Sequence, residues 1–465
     1  MVFSSITFLY FFLPILLLVY YIIPKKYRNL VLLIFSLLFY FYGERNLVLV
    51  ASCVMNYFFG IFIGKEQSRD KKKSKLYLTI GVICNVLLLG YYKYTNFFID
   101  NISNILGISI RTLNVVLPLG ISFFTFQNIS YLADVYRGEV EAPKSIIRYG
   151  AYITLFPQLI AGPIVRYKDV CDELYNRKET FKQFAQGIYR LMIGVAKKVL
   201  VANTMAKMCL VLGGMADKTV LSYILEAIGY TLQIYFDFSG YSDMAIGLGL
   251  MFGFHFKENF DHPLFATSVT EFWRRWHMSL TSFFRDYIYI PLGGNRVSKL
   301  KWFRNILIVW LLTGFWHGAN WNFIIWGLYF FIFLMIEKTF LHKFLKKGII
   351  SHLYTVIVVV IGFVIFNNES LPVLGNFLKC MTGFGGLEFV NAETLYNLKN
   401  YALILIVACI TATPIFKYIG IKLKEKKNGE KIIFASQYVF SIVVLIVATA
   451  TLLASSFNPF IYFRF

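Results

Sequence analysis

Apolar residues run along this chain in long blocks separated by short polar segments. The blocks cover 6–23, 29–43, 46–64, 76–92, 114–132, 149–165, 189–213, 221–236, 241–254, 304–317, 321–337, 351–366, 401–418 and 433–456. Several approach the ~20 residues that carry a helix across ~30 Å of hydrocarbon, whereas others fall well short. A short block must tilt, pair as a re-entrant hairpin or line a cavity, because unpaired backbone cannot face lipid. The pattern predicts an all-α polytopic membrane protein with about eleven transmembrane helices plus re-entrant or interfacial pieces. No internal repeat is visible.

The polar segments give an orientation. Lys25–Arg28, Lys65–Lys75, Lys338–Lys347 and Lys417–Lys431 are strongly basic clusters, as expected of cytoplasmic loops. The segments 93–113 and 367–400 carry few basic residues, and the second holds Glu369, Glu388 and Glu393; both are expected outside. Threading the blocks between these marks puts both termini outside, while the mixed charges of 133–300 leave the middle unassigned. The first block, Ile6–Ile23, lacks a preceding basic region and is followed by Lys25, Lys26 and Arg28. It therefore reads as a retained span with a stop-transfer flank, not as a cleavable signal.

Composition narrows the class further. The 465 residues are 58% hydrophobic and 15% charged, and a soluble fold of this size needs far more charge to cover its surface. Net charge is +21. In a soluble chain that excess suggests nucleic acid; here the basic runs punctuate apolar spans, so the partner is the membrane lipid. The six cysteines form no CxxC pair, and Cys53, Cys84 and Cys409 sit inside apolar blocks. They read as small hydrophobes, which supports neither a disulfide framework nor a metal site.

All seven tryptophans fall between Trp273 and Trp326, roughly an eighth of the chain. An interfacial belt would scatter them over every span end, so their concentration predicts a structured, partly polar site walled by large rings. Four sequence blocks stand out. The first is PLGISFFTFQ (118–127), continuing to Tyr131, Asp134 and Arg137. The second is FPQLIAGPIVR (156–166), and the third YFDFSGYSD (235–243). Asp237 and Asp243 in the third lie at membrane depth, where they must pair, line a wet cavity or hold broken helices together. The fourth runs through ENFDHP (258–263), EFWRRWHMS (271–279), FRDY (284–287) and PLGGNR (291–296) to WHGANW (316–321). Read as a helix, it puts Trp273, Trp276 and His277 on one face with Arg274 and Arg275 beside it, as in a helix lying at the interface.

His317 is the sharpest residue. It lies between the blocks 304–316 and 321–337, each about 20–26 Å long as helix, which are expected to form a hairpin holding it within the membrane. Gly314, Gly318 and Ala319 would let a ligand approach the ring. An imidazole in apolar surroundings stays neutral near pH 7 and can take a proton from a hydroxyl attacking an acyl thioester. A satisfied core histidine is the plainer reading. His277 is its natural partner; two histidines with no acidic or cysteine ligand at metal spacing do not make a zinc site. His255, His262, His342 and His352 are assigned no chemistry. Arg296, Lys299, Lys301 and Arg304 follow the Gly293–Gly294 turn. They read either as a positive-inside loop or as a holder of coenzyme A phosphates.

The ordered series YFDFSGYSDMAIGLG, ENFDHP, EFWRRWHMSL, FRDYIYIPLGGNR and FWHGANWN, with LPLGISFFTFQ and FPQLIAGPI before it, resembles the membrane-bound O-acyltransferase family. The likeness covers most of residues 1–340. Within the family it is nearest to the alginate O-acetyltransferase membrane subunits and more distant from the D-alanine transfer proteins of teichoic acid synthesis. The resemblance implies a single domain over 1–465: a ring of helices around a central funnel thinned from both faces. Acetyl-CoA would enter as substrate from the cytoplasm, with no resident cofactor. His317 matches the family's catalytic histidine and His277 its second signature position. The tail Phe460-Ile-Tyr462-Phe-Arg-Phe465 resembles the FxYxxF ending of a small partner peptide in the D-alanine system, whose tyrosine is thought to accept the acyl group. Segment 457–465 is thus expected to be an extracytoplasmic aromatic tail, with Tyr462 either an acyl relay or part of a plug or interfacial anchor.

Three functions follow. The first is acetyl transfer across the cell membrane to a secreted or cell-wall polysaccharide, with a separate extracytoplasmic acetyltransferase as partner. D-alanine-type transfer to teichoic acid is its nearest alternative. The others are a transporter, which usually shows paired halves with matching broken helices, and a non-catalytic scaffold of polysaccharide secretion.

Overall fold

A computed structural model describes the chain except residues 161, 342–344, 346–347, 456 and 462–465. The regular elements among the described residues are all helices, with no strand. Six helices are long and apolar enough to cross a bilayer: Val48–Gln67, Lys71–Leu106, Trp321–Thr339, Ile349–Asn367, Ala392–Thr411 and Gly429–Ala454. Phe8–Ile22 and Leu371–Met381 are shorter apolar helices. Large side chains such as Leu403 (76% exposed) and Ile446 (63%) stand bare on the outer helices. Apolar area on this scale is suited to lipid. The protein is a polytopic, all-α membrane protein.

Two apolar blocks differ from their reading. The blocks 221–236 and 241–254 merge into one unbroken helix, Val220–Met251, about 48 Å long. Asp237 and Asp243 therefore lie inside a continuous helix and not at a break. The segment 93–113, read as a loop, begins as helix: Lys71–Leu106 runs on through a π-helical turn at Gly90–Tyr94. Phe97, Phe98, Ile102 and Ile105 keep an apolar face on that extension, and this sustains the helix past the polar residues around it.

The chain divides into two compact units. The first comprises residues 1–191, 244–257 and 285–287. Its buried interior includes a tyrosine group in which Tyr131 packs on Tyr149 and Tyr167, with ring centroids 4.6 and 5.3 Å apart. Helices Val48–Gln67 and Lys71–Leu89 are tied by reciprocal amide hydrogen bonds between Asn56 and Asn85, at 2.6 and 3.1 Å. Paired amides of this kind hold helices together where lipid supplies no hydrophobic drive.

The second unit comprises 192–243, 258–284 and 288–465, and it contains His277 and His317. Its short helix Val269–Arg275 is capped twice. The Ser268 hydroxyl accepts from Glu271 N at 3.0 Å, and the buried Glu337 carboxylate accepts from Val269 N and Thr270 N at 2.5 and 2.8 Å. Glu337 comes from helix Trp321–Thr339. Its charge, set against the helix's free N–H groups, fixes the short helix to the long one.

Candidate active site

Helices Lys299–His317 and Trp321–Thr339 form the predicted hairpin, with His317 as the last residue of the first arm. The turn is made by Gly318 in extended backbone and by Asn320, whose side-chain oxygen accepts from Trp321 N at 2.6 Å. The glycines act differently from their sequence reading. A Cβ on Gly314 would strike the Phe323 carbonyl, one on Gly327 would lie 2.5 Å from the Trp310 carbonyl, and one on Gly318 would strike the Phe323 ring. Gly314 and Gly318 bring the two arms together; the space they leave is filled by protein and not by ligand.

His317 is 8% exposed. Its ring meets Trp316, Trp326 and Phe366 edge to face, with centroids 4.9, 5.1 and 5.1 Å away. Trp326 packs in turn on Trp273, which packs on Trp310, at 5.4 and 4.9 Å. The tryptophans do wall a site. Two of them, Trp276 and Trp326, line a small cavity with His317, Phe363, Phe366, Ile234, Asp237, Phe238, Phe460 and Ile461. Ile234, Asp237 and Phe238 fall at i, i+3 and i+4 on one face of the long helix.

Asp237 brings a charge to this apolar wall. It pairs with Lys198 at 2.7 Å, both side chains almost fully buried. Lys198 lies in a π-helical turn, Ala196–Ala202, between helices Phe181–Val195 and Asn203–Gly213. The preceding Lys197 pairs with Asp243 at 2.6 Å. Such turns re-aim side chains within a helix, and here two successive lysines meet carboxylates six residues apart. Losing one member of a buried pair costs about 3–5 kcal/mol.

His277 is placed otherwise. The expected common helical face does not form, because the helix ends at Arg275, Trp276 is extended and His277 takes a left-handed φ of 44°. The chain turns there because segment 258–261 pairs with it: Met278 N donates to Asn259 O and Asp261 N to Arg275 O, each at 3.0 Å. Asn259 ties the turn. Its Nδ2 donates to Ser242 at 3.1 Å, and its Oδ1 accepts from Ser279 Oγ and N at 2.9 and 3.2 Å. The same oxygen lies 3.2 Å from His277 Nδ1. An acceptor facing Nδ1 puts the proton on that nitrogen, so Nε2 is the basic one. Trp316 stands between the histidines, 6.0 Å from the His277 ring and 4.9 Å from that of His317. Among the described residues the cavity wall includes Trp276 but not His277.

Residues 139–370, which contain both histidines, match the model of MBOAT, the membrane-bound O-acyltransferase family. A probable alginate O-acetylase of Azotobacter vinelandii is 39% identical over the full length of both chains. The chain belongs to the membrane-bound O-acyltransferase family. A peptidoglycan O-acetyltransferase of Helicobacter pylori is 34% identical over 100% of this chain and 98% of its own. A teichoic acid D-alanyltransferase of Bacillus subtilis is 30% identical over 55% of this chain and 70% of its own.

This acyltransferase gathers the remaining signature blocks elsewhere. In the first unit Arg166 binds Asp169 and Asp286 at 3.1 and 2.6 Å. Tyr287 donates to Asp134 at 2.7 Å, and Lys168 bridges Asp134 and Glu139 at 3.5 and 2.7 Å. Burial alone would raise the Asp286 carboxyl, but hydrogen bonds from Arg285 and Arg166 outweigh it and hold the group below its usual range. Blocks 118–137, 156–166 and 284–287 thus meet in an ionic web.

Arg296, Lys299, Lys301 and Arg304 are all exposed around the start of helix Lys299–His317. His255 pairs with Glu173 at 2.6 Å, and His352 meets the Ala266 carbonyl at 3.0 Å. His262 adjoins Asp261, while His342 and Tyr462 lie outside the described residues. Reading the sequence missed Lys197, Lys198, Asn203 and Asn259. The two lysines carried a signal, since both sit inside the apolar block 189–213, where a charge demands a partner. Asn259 stands in the ENFDHP block, yet nothing in that block shows which turn its side chain holds.

Proposed function

We propose that this acyltransferase takes acetyl groups from cytoplasmic acetyl-CoA and moves them across the plasma membrane for O-acetylation of a secreted or cell-wall polysaccharide. The observation that carries the reading is one shared cavity, lined by the His317 imidazole together with Phe460 and Ile461. An aromatic-walled chamber of this kind keeps bulk water from a thioester. Relatives named as acetyl-transferring enzymes match this chain from end to end, whereas the D-alanyl-named relative covers 55% of it. That difference favours acetyl over D-alanyl.

In the proposed chemistry His317 is the general base. It takes the proton of an attacking hydroxyl, the oxygen adds to the thioester carbonyl, and the C–S bond breaks as the imidazolium returns the proton to the departing thiolate. Tyr462, next in the chain after Ile461, supplies the hydroxyl. A separate extracytoplasmic transferase then passes the acetyl ester to a sugar hydroxyl and restores the phenol. His277 supports the site through the Trp316 indole. Arg296, Lys299, Lys301 and Arg304 hold the donor's phosphates, which leaves the donor about 20–27 Å of helix to span before its thioester reaches His317.

The test is mass spectrometry of the C-terminal peptide after turnover with isotopically labelled acetyl-CoA. Labelled acetyl is expected on Tyr462, and absent in His317→Ala and Tyr462→Phe variants, both of which lose polysaccharide O-acetyl esters at normal protein level. Normal acetylation by Tyr462→Phe would sink the relay. Normal acetylation by His317→Ala would sink the site.

A further inference from the structure

Segment 457–461 lies in the second unit and is gripped by its backbone. The three protons of the Lys198 ammonium are matched by three acceptors: Asp237 Oδ1 at 2.7 Å, Asn203 Oδ1 at 3.0 Å and the Pro459 carbonyl. The other Asp237 oxygen accepts from Ile461 N at 2.9 Å. Asn203 also donates to the Asn458 side chain at 3.0 Å. The Phe460 ring, between the two gripped peptide groups, stacks on Tyr241 at 4.8 Å.

Lys198 and Asp237 offer one donor and one acceptor to the two peptide groups that flank Phe460. We propose that Lys198, Asp237 and Asn203 form an intramembrane receptor that reads the backbone of the chain's own C-terminal segment and sets its register in the cavity.

Register follows from the pattern. A shift of the segment takes the Phe460 ring off Tyr241 and the Asn458 side chain off Asn203, and Pro459, with no N–H, cannot donate to Asp237 in place of Ile461. The ion pair thereby does more than neutralise two charges in an apolar wall. Lys198, Asp237 and Asn203 are positioning residues: they act on whatever follows Ile461. This last step rests on the reading of Tyr462 given above; the docking itself does not.

Hydrogen–deuterium exchange on the full-length protein in nanodiscs reads docking without any acyl transfer. The Ile461 amide is expected to exchange at least tenfold more slowly than in a synthetic peptide of residues 458–465. The paired change Lys198→Met with Asp237→Leu leaves no stranded charge and is expected to remove that protection, while amides of helix Trp321–Thr339 stay protected. Asn203→Ala is expected to reduce it a few-fold. An Ile461 amide as fast in the wild-type protein as in the peptide would overturn the receptor, whatever the variants do. Protection that survives the paired change would overturn the assignment to Lys198 and Asp237. An alanine inserted between Ile461 and Tyr462 tests register: Ile461 stays protected while acetyl transfer falls at least tenfold. Unchanged transfer would overturn the register claim and leave the docking result standing.

Discussion

Two histidines with the same aromatic surroundings in the sequence occupy opposite kinds of place. His317 ends a helix at the bend of a hairpin and forms part of a cavity wall. His277 is 1% exposed, sits in a left-handed turn and is bound through Nδ1 to Asn259. The first ring has space on one side; the second has a knot of hydrogen bonds. A reacting atom needs room beside the base that serves it, and of the two only His317 lines the cavity, which is why the proposed chemistry rests on it.

The sharpest break of this comparison is the pair of truncations. His317→Ala should lower acetyl-transfer kcat by at least about a hundredfold, within the range of general-base removal, with the protein still folded in detergent. His277→Asn should do the reverse in kind. Asparagine tolerates the left-handed backbone better than histidine, yet the lost ring leaves a hole behind Trp316. Activity is expected to fall by a smaller factor and the melting temperature to drop. A His277→Asn protein as inactive as His317→Ala but fully stable would mean that His277 takes part in chemistry and that the cavity criterion misjudged it.

Asn259 is the next lever. Its carboxamide oxygen gathers the His277 ring and both polar groups of Ser279, all buried. Replacing it with alanine strands those donors, at about 1–3 kcal/mol for a group left unsatisfied. The expected result is a lower melting temperature with His317-dependent turnover largely kept. Thermal unfolding followed by tryptophan fluorescence would measure it, since Trp276 and Trp316 flank the turn. An unchanged melting point would show that the turn is held by packing alone.

Why one histidine could be read from the sequence and the other misplaced is a matter of distance along the chain. The hairpin around His317 rests on local features: two apolar blocks and an interrupting Gly-Ala-Asn. The all-helical class was legible for the same reason. The His277 turn depends on Asn259, eighteen residues earlier, and nothing in the local pattern opposes a helix running through Trp276 and His277. The Lys198–Asp237 pair spans two helices, and only the cost of isolated charges in an apolar block hints that a partner must exist. The glycines of WHGAN misled because a small residue beside a candidate base suits either ligand access or close helix packing; the neighbouring Phe323 decides for packing.

The mildest expected effect lies at the other end of the His317 helix. Arg296, Lys299, Lys301 and Arg304 are exposed, so each interaction they make with a phosphate is screened by salt and worth little alone. If they hold the donor, Lys299→Ala with Lys301→Ala should raise the KM for acetyl-CoA a few-fold and leave kcat alone. The difference from wild type should shrink as ionic strength rises from 0.05 to about 0.5 M, where the Debye length falls below about 5 Å. This is the opposite split from His317→Ala, which acts on kcat. A kcat effect that ignores salt would mean instead that the basic turn positions the helix, and the donor's phosphates would then have to be sought on another surface.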